Sequence, residues 1–235
     1  MNTQLDSLAE VRASPAASVD AGLAPEQAIA KQLGEDIIFG RLEPGARLIE
    51  DQLIARFGVT RHCIRSALFE LERSGIVVRE RNKGVAVRSL TPQEVHQIYE
   101  VRELLQRQAA LMIPLPAPAN LVAELESINA DYQRAIQARD FGAVHALNDR
   151  FHLGFFRGSG NPYLASSIQH YMALSLPVRA RQHSDPKRLR ASANEHAVMI
   201  ELLRGTDRWA LAQICVEHLQ PAKLGYLQTV QARLD

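Results

Sequence analysis

The segment 53–68, which reads LIARFGVTRHCIRSAL, constrains the fold of this chain more than any other part of the sequence. Its apolar residues recur at helical spacing on both sides of Gly58, and Thr60 stands where a helix N-cap is expected. The pattern predicts two short helices joined by a tight turn, with arginines in the first turn of the second helix. A helix pair of this kind can place its second helix in the major groove of DNA.

Flanking segments extend this pair into a larger unit. Apolar residues Ile29, Leu33 and Ile37 predict a helix that begins near Pro25 and ends near Gly40. Further helices are predicted at about 50–57 and 60–74, and β-prone runs at 76–79 and 85–88 predict a hairpin that turns at Lys83 and Gly84. Three helices followed by such a hairpin make a winged helix-turn-helix, which we place at 26–90.

The remainder of the chain divides into a tail and a second domain. Residues 1–25 carry alanine, serine, proline and scattered charges without a sustained apolar period, so we expect a flexible tail. A helical domain over 91–235 begins at Thr91, which can form a capping box with Glu94. Its helices are predicted at about 92–112, 118–139, 141–157, 162–180, 186–204 and 207–231. The predicted fold class is mainly α: a winged helix-turn-helix followed by an all-α bundle of about six helices.

Composition narrows the class of protein further. Hydrophobic residues make up 46% of the chain and aromatic residues only 6%, which favours helical packing over β-sandwiches and barrels. The net charge of +1 neither requires nor excludes an anionic partner. Cys63 and Cys215 lie far apart, which suggests reduced thiols rather than a disulfide framework. Because no run approaches the roughly 20 apolar residues of a membrane span, we expect a cytoplasmic protein that does not engage a membrane.

Basic side chains cluster where the predicted winged helix would meet DNA. Arg61 and Arg65 lie four residues apart, so they share a helix face and could reach guanine edges or phosphates, with support from Thr60 and His62. The hairpin adds Arg79, Arg81, Lys83 and Arg88. This second cluster suits phosphate contact. The alternative is that both helix arginines lie on a solvated face and the hairpin is an ordinary connection.

Several motifs of this region resemble the DNA-binding domain of the GntR family. They are the runs LEPGARL at 42–48, LIARFGVTR at 53–61, RSAL at 65–68, LE at 71–72 and SGI at 74–76. The resemblance covers about 26–90 and implies that Arg61, Arg65 and the wing tip at Lys83-Gly84 touch operator DNA. Two positions depart from the family pattern: Cys63 replaces a small polar residue or proline, and Asp51 stands where some members have arginine.

Three histidines lie on apolar helical stripes of the second domain: His152, His196 and His218. His196 and His218 are equidistant from Asp207 (207 − 196 = 11; 218 − 207 = 11), so a helical hairpin that turns there would hold them at the same depth. Asn148 lies one helical turn before His152 and could add an oxygen ligand to three imidazoles. The pattern is compatible with a metal site and equally with neutral histidines hydrogen-bonded in a helical core.

The region from about 92 to 230 resembles the FCD effector domain of the FadR-type branch of GntR regulators. The resemblance is carried by YEVR at 99–102, NDRFH at 148–152, GNP at 160–162, EH at 195–196 and His218. It implies that Asn148, His152, His196 and His218 bind a divalent metal, with zinc, nickel and manganese all compatible with these ligands. An aspartate is frequent in the family where this chain has Asn148, and an amide donates less strongly than a carboxylate.

Arg102 is the cation expected to bind the effector, because its family counterpart commonly faces the effector cavity. Four protein ligands would leave a metal with a free position for a carboxylate, whose other end a buried arginine could hold. The effector is then a small organic acid. The alternative is that Arg102 is an ordinary surface arginine near Glu100 and Glu103.

These observations lead to the expectation of a ligand-responsive transcriptional regulator that binds an inverted-repeat operator as a homodimer and acts as a repressor. One alternative is a DNA-binding protein whose helical domain only dimerises. A metal-dependent hydrolase is the other, but the inner helix faces offer no spare carboxylate as general acid or base, since Asp149 and Glu195 are expected to point elsewhere. We therefore expect that the protein is not an enzyme.

Overall fold

The computed structural model describes residues 23–80, 84–180 and 185–231 of the chain. Most of the expected tail and the wing-tip residue Lys83 fall outside these ranges. Within them, none of the helices is long and apolar enough to cross a lipid bilayer.

The N-terminal unit is a winged helix-turn-helix, as the sequence predicts. It consists of α1 (Pro25–Ile38), β1 (Arg47–Leu48), α2 (Glu50–Phe57), α3 (Arg61–Arg73), β2 (Val77–Glu80) and β3 (Gly84–Val87). Gly58 adopts a left-handed conformation that ends α2, and the Thr60 side chain accepts a hydrogen bond from the Cys63 backbone N–H at the start of α3. The sheet is antiparallel in the order β1-β3-β2. Strand β1 was not predicted, because two residues are too short to show a periodic pattern.

The core of this unit joins the three helices to the wing. Its buried apolar residues include Leu33 of α1, Ile64 and Leu68 of α3, and Val85 of β3. Asp36 is a buried carboxylate at the edge of this core, where two arginines approach it at 2.6 Å: Arg41 and Arg56. Apolar burial therefore fixes the angle at which α3 projects from the unit.

The C-terminal region is entirely helical within the described residues. Its helices are α4 (Pro92–Met112), α5 (Ala119–Ala138), α6 (Phe141–Arg157), α7 (Pro162–Leu174), α8 (Leu176–Ala180), α9 (Pro186–Arg204), α10 (Arg208–Glu217) and α11 (Gln220–Gln231). The predicted capping box of Thr91 and Glu94 is present at the start of α4. A core of buried leucine, isoleucine and phenylalanine side chains holds the bundle together.

Two helices were predicted to be continuous, and both are interrupted in the structure. The expected helix at 162–180 is interrupted at Ser175, and the one at 207–231 is interrupted after Glu217. Pro177 and Pro221 explain the breaks, because a proline has no backbone N–H and its ring clashes with the carbonyl four residues earlier. Both prolines therefore lie in the first turn of a new helix, α8 or α11, so each of these two expected helices is a pair of helices in the described residues.

The short helix α8 lies between the two parts of the molecule. Leu176 packs with Ile38 at the end of α1, and Phe39 and Ile76 flank this contact. The linker between the two parts is also fixed, because the Tyr226 hydroxyl donates to the Leu90 carbonyl at 3.0 Å and accepts from the Leu90 N–H. The winged unit is thus packed on the bundle at α8.

Candidate metal and effector site

Three histidine side chains from three helices meet inside the bundle. His152 lies on α6, His196 lies on α9, and His218 caps the C-terminal end of α10. The Nε2 atom of His152 is 3.4 Å from Nε2 of His196 and 3.2 Å from Nε2 of His218. A metal-ligating nitrogen from each ring lies within 4.8 Å of the others. The predicted juxtaposition of these histidines is present, although His218 terminates a helix instead of lying within one.

Burial keeps two of these histidines uncharged. It lowers the pKa of His152 and His196 well below the usual value, and the neighbouring imidazoles reinforce the effect. Both rings are therefore neutral near pH 7, with lone pairs available to a metal. The His196 ring is also fixed in place, because it stacks on Phe151 with 4.0 Å between ring centroids.

The arrangement is one that could hold a divalent metal. His152 presents the same Nε2 atom to both other rings, and a single ring nitrogen cannot donate to one and accept from the other. The Nδ1 atom of His196 is buried and lacks a hydrogen-bond partner among the described residues. Three converging Nε2 atoms are the donor set that transition metals such as zinc and nickel prefer.

Glu195 was predicted to point away from the site, and this prediction is wrong. Its carboxylate accepts a hydrogen bond from Nδ1 of His218 at 2.5 Å and two more from the Arg188 guanidinium at 3.2 Å each. Burial alone would raise the pKa of Glu195, but the hydrogen bond from His218 and the charge of Arg188 outweigh it and lower that pKa. The bond from Nδ1 leaves the Nε2 lone pair of His218 directed at the other histidines. The break after α10 produces this geometry and was not visible in the sequence.

A small cavity of about 60 Å³ opens beside the histidines. Its lining includes Arg102, Asn148, His152, Arg179, Arg188 and His218. Asn148 is buried there, next to two of the histidines with which it was grouped from sequence. A larger cleft of about 420 Å³ between α5 and α9 is lined mainly by exposed side chains and holds no histidine.

Arg102 is buried in this cavity, so the alternative of a surface arginine is wrong. Its guanidinium donates to the Ser175 hydroxyl at 3.0 Å and lies over the Tyr99 ring, 5.0 Å from the centroid. Burial lowers the pKa of Arg102 to about 10, which still leaves it charged at neutral pH. No carboxylate in the described part of the chain lies within ion-pair distance of it, and its Nε atom has no hydrogen-bond partner there.

Arg179 is a cavity residue that sequence reasoning missed. It lies on α8, where it donates to Asp149 at 2.5 Å and to the Met172 carbonyl at 3.1 Å. Asp149 itself does not line the cavity. The signal for Arg179 was hidden because the sequence predicted one continuous helix at 162–180, in which no arginine position stood out.

The predicted DNA-reading residues lie on the exposed face of the winged helix. Thr60, Arg61, His62 and Arg65 are all exposed, and Gly84 is exposed with a φ of +83° at the start of β3. Both arginines contact acidic residues of α2: Arg61 lies 2.5 Å from Asp51, and Arg65 lies 3.0 Å from Glu50. The structure thus places three residues of α3, its N-cap Thr60 and Gly84 on one accessible unit, while Lys83 is outside the described residues.

A winged helix-turn-helix joined to a helical bundle with a buried histidine cluster defines a DNA-binding protein with an attached helical domain. Residues 25–87 match the family described as bacterial regulatory proteins, gntR family, and residues 97–221 match the FCD domain. The chain belongs to the GntR family of transcriptional regulators and carries an FCD domain. Members of this family are DNA-binding regulators and not enzymes, so the expectation of a non-enzyme is confirmed.

Relatives along most of the chain are regulators as well. The HTH-type transcriptional regulator YdhC of Bacillus subtilis is 28% identical over 188 residues, which cover 80% of this chain and 84% of that protein. The gluconate operon transcriptional repressor of Bacillus licheniformis is 27% identical, with 77% of this chain and 76% of that protein covered. The solved structure of McbR/YncC of Escherichia coli has the same fold, with a TM-score of 0.68 at 19% identity over 91% of this chain and all of that one (100%).

Proposed function

We propose that this regulator is a repressor whose FCD domain binds a divalent metal and a small organic acid, and that the acid changes its affinity for operator DNA. The observation that carries the proposal is the convergence of three imidazoles beside Arg102, a buried cation with no carboxylate partner among the described residues. Relatives that are repressors of gluconate operons support the assignment as a repressor rather than an activator. The proposed setting is the cytoplasm.

The ligand set of the metal would be His152, His196, His218 and Asn148. A metal held there supplies a Lewis acid to which one end of a carboxylate can bind. The chain's own residues do the rest: Glu195 orients His218, and Arg102 holds the far end of the acid. Zinc, nickel and manganese are the candidates, and the nitrogen-rich donor set favours zinc or nickel over manganese.

Reading of DNA is assigned to the exposed start of α3 and to the wing. Arg61 and Arg65 are proposed to contact bases or phosphates in the major groove, with Thr60 and His62 beside them. Gly84 and its neighbour Lys83 would approach the adjacent phosphates, since a glycine at positive φ permits a tight wing turn. Asp51 and Glu50 would have to release the arginines as DNA binds.

Dimerisation is proposed to use α4 and α7, which pack side by side in the bundle. Leu104 of α4 is 69% exposed and Tyr163 of α7 is 84% exposed. Large apolar side chains that are exposed on packed helices are candidates for an interface. Light scattering should give twice the chain mass, and Leu104→Arg should shift it toward one chain; an unchanged mass would place the interface elsewhere.

The proposed route from effector to DNA runs through α8. Ser175, just before this helix, binds Arg102, and Arg179 at its other end lines the cavity. Leu176 on the same helix contacts Ile38 of the winged unit. An acid that draws Arg179 or Arg102 toward the metal would shift α8 and with it the winged unit.

Operator binding with and without an added acid tests the proposal. DNA selected from a random pool by the purified protein provides the operator, and fluorescence anisotropy gives its affinity. Arg65→Ala should cost about 1 to 3 kcal/mol on this DNA and less on random DNA if Arg65 makes a base contact. The exposed bundle arginine Arg150 serves as the matched control, with Arg150→Ala leaving affinity unchanged.

Small carboxylic acids are then titrated into the metal-loaded complex. At least one acid should weaken operator binding in the wild-type protein and fail to do so in His196→Ala. If no acid changes operator affinity while light scattering shows a dimer, the helical domain only dimerises and the proposed sensor function falls.

A further inference from the structure

The balance of charge in the cavity is one-sided. Among the described residues that line it, three are arginines and none is an aspartate or glutamate: Arg102, Arg179 and Arg188 are the charged members. Two of these arginines have a carboxylate behind them, since Asp149 binds Arg179 and Glu195 binds Arg188. Arg102 has none among the described residues, so the cavity itself retains an uncompensated positive charge.

The proposed metal site does not reduce this excess. Histidines ligate a metal in their neutral form, and Asn148 would contribute a neutral amide. A divalent ion among these ligands would therefore keep both of its positive charges. Positive charges that are removed from water without a counter-ion are costly, and an anion that enters the cavity would balance them.

We propose that the effector carries at least two negative charges, and that it is a diacid with one acidic group at the histidine cluster and the second at Arg102 and Arg179. This inference rests on the proposed function, because it concerns the ligand of the same site. Arg179 keeps a donor for the second group, since its buried Nε atom has no hydrogen-bond partner in the described part of the chain. A single carboxylate would leave Arg102 or the metal site unbalanced.

The cavity also limits the size of the diacid. A volume of about 60 Å³ holds about four to six water molecules if each occupies roughly 10 to 15 Å³ of such space. A ligand that displaces them has about five to eight non-hydrogen atoms. The dicarboxylates malonate and succinate are within this range. Inorganic phosphate is also within it and is a dianion without a carboxylate.

Isothermal titration calorimetry of the full-length chain tests the charge requirement. The protein is loaded with zinc or nickel, freed of unbound metal, and titrated with malonate, succinate and phosphate in parallel with acetate and propionate. A dianion should bind at least about tenfold more tightly than either monoacid, because each of its acidic groups gains a charge-assisted partner. The relative affinities of the dicarboxylates and phosphate then show which kind of dianion the site prefers. Equal affinity for monoacids and dianions would overturn the inference.

Arginine-to-glutamine variants inside and outside the cavity separate the effect of the cavity charge from the effect of losing any arginine. Arg102→Gln should remove most of the preference for dianions, whereas Arg107→Gln, an exposed arginine on the same helix, should preserve it. Asn148→Asp adds a negative charge on the histidine side and should lower the preference while metal remains bound. It provides a second test if Arg102→Gln does not fold. A preference that survives both changes would contradict the inference.

The failure of this inference can be distinguished from the failure of the proposed function. A monoacid that binds as tightly as malonate and still weakens operator binding would contradict the dianion requirement. The proposed function as an acid-responsive regulator would still hold. Tight malonate binding that leaves operator affinity unchanged would support the dianion site and contradict the sensor function.

Discussion

The arginines that would read DNA are engaged by acidic side chains before any DNA arrives. Glu50 receives hydrogen bonds from Arg65 and Arg61, and the bond from Arg65 is the main cause of its lowered pKa. Asp51, at a position where some GntR members have arginine, lies 2.5 Å from Arg61. Exposed ion pairs of this kind contribute little to stability, but they compete directly with phosphate oxygens for the same guanidinium groups.

Asp51→Asn should therefore tighten DNA binding. Removal of the charge deletes one of the two ion pairs of Arg61 and a repulsion from the DNA backbone, so we expect affinity to rise by about 0.2 to 1 kcal/mol at low salt and less at high salt. Anisotropy titrations at several salt concentrations measure the change. Glu124→Gln, an exposed acidic residue of α5, is the control and should have no effect. Weaker binding by Asp51→Asn would show that Asp51 helps to position Arg61.

The buried histidines predict how stability depends on pH. His152 and His196 have pKa values depressed by burial in the folded chain, whereas in the unfolded chain a histidine titrates near 6.5. As the pH falls below that unfolded value, the unfolded state binds more protons, so folded stability present above it is progressively lost. Aspartates and glutamates with lowered pKa values respond only at more acid pH.

The Tm of the metal-free protein should consequently fall as the pH is lowered from about 7.5 to about 5.5. His152→Gln should flatten this dependence, and His96→Gln, an exposed histidine on α4, should not. Differential scanning calorimetry gives the Tm at each pH. A Tm that is constant over this range would mean that the histidines are protonated to the same extent in both states.

At the scale of secondary structure, α8 is an element of the bundle that contacts both the winged unit and the cavity. Its residue Leu176 is buried against Ile38, and Arg179 on the same five-residue helix lines the cavity. So short a helix is held by its contacts rather than by its own hydrogen bonds, which allows it to move as a unit. Deletion of the Leu176 side chain should loosen the attachment of the winged unit without altering either binding surface.

Leu176→Ala is thus expected to uncouple the two sites. The affinities for operator alone and for acid alone should stay within about threefold of wild type, while the effect of acid on operator affinity should shrink. The acid used is the one that binds most tightly in calorimetry. Leu224→Ala, a change at a leucine that is 54% exposed on α11, is the control for loss of a leucine. Undiminished coupling in Leu176→Ala would exclude this route.

Elements were predictable where the evidence for them is local. Thr60, Gly58 and the Thr91 capping box mark helix ends by backbone chemistry that acts within a few residues, and each lies where it was expected. The breaks before α8 and α11 were missed because Pro177 and Pro221 lie within otherwise continuous apolar periods. A proline in such a pattern fits either a helix start or a kink, and tertiary packing decides between them.

On the scale of the whole molecule, the site depends on contacts between residues distant in sequence. His152 meets His196 across 44 positions and His218 across 66. Helical stripes predicted that these side chains point inward, and the resemblance to the FCD domain grouped them. Neither could place Arg179 in the cavity or Glu195 against His218, because both contacts depend on how α8 and the end of α10 are set by the fold.

The central claim is that the helical domain holds a metal through its histidine cluster. Metal content per chain tests it most directly, measured by mass spectrometry on protein purified without a metal-affinity tag and then exposed to zinc, nickel or manganese. We predict about one ion per chain in the wild type, little in His196→Ala, and unchanged content in the control His62→Ala on the winged helix. Absence of bound metal after such exposure, or full retention in His196→Ala, would contradict the account.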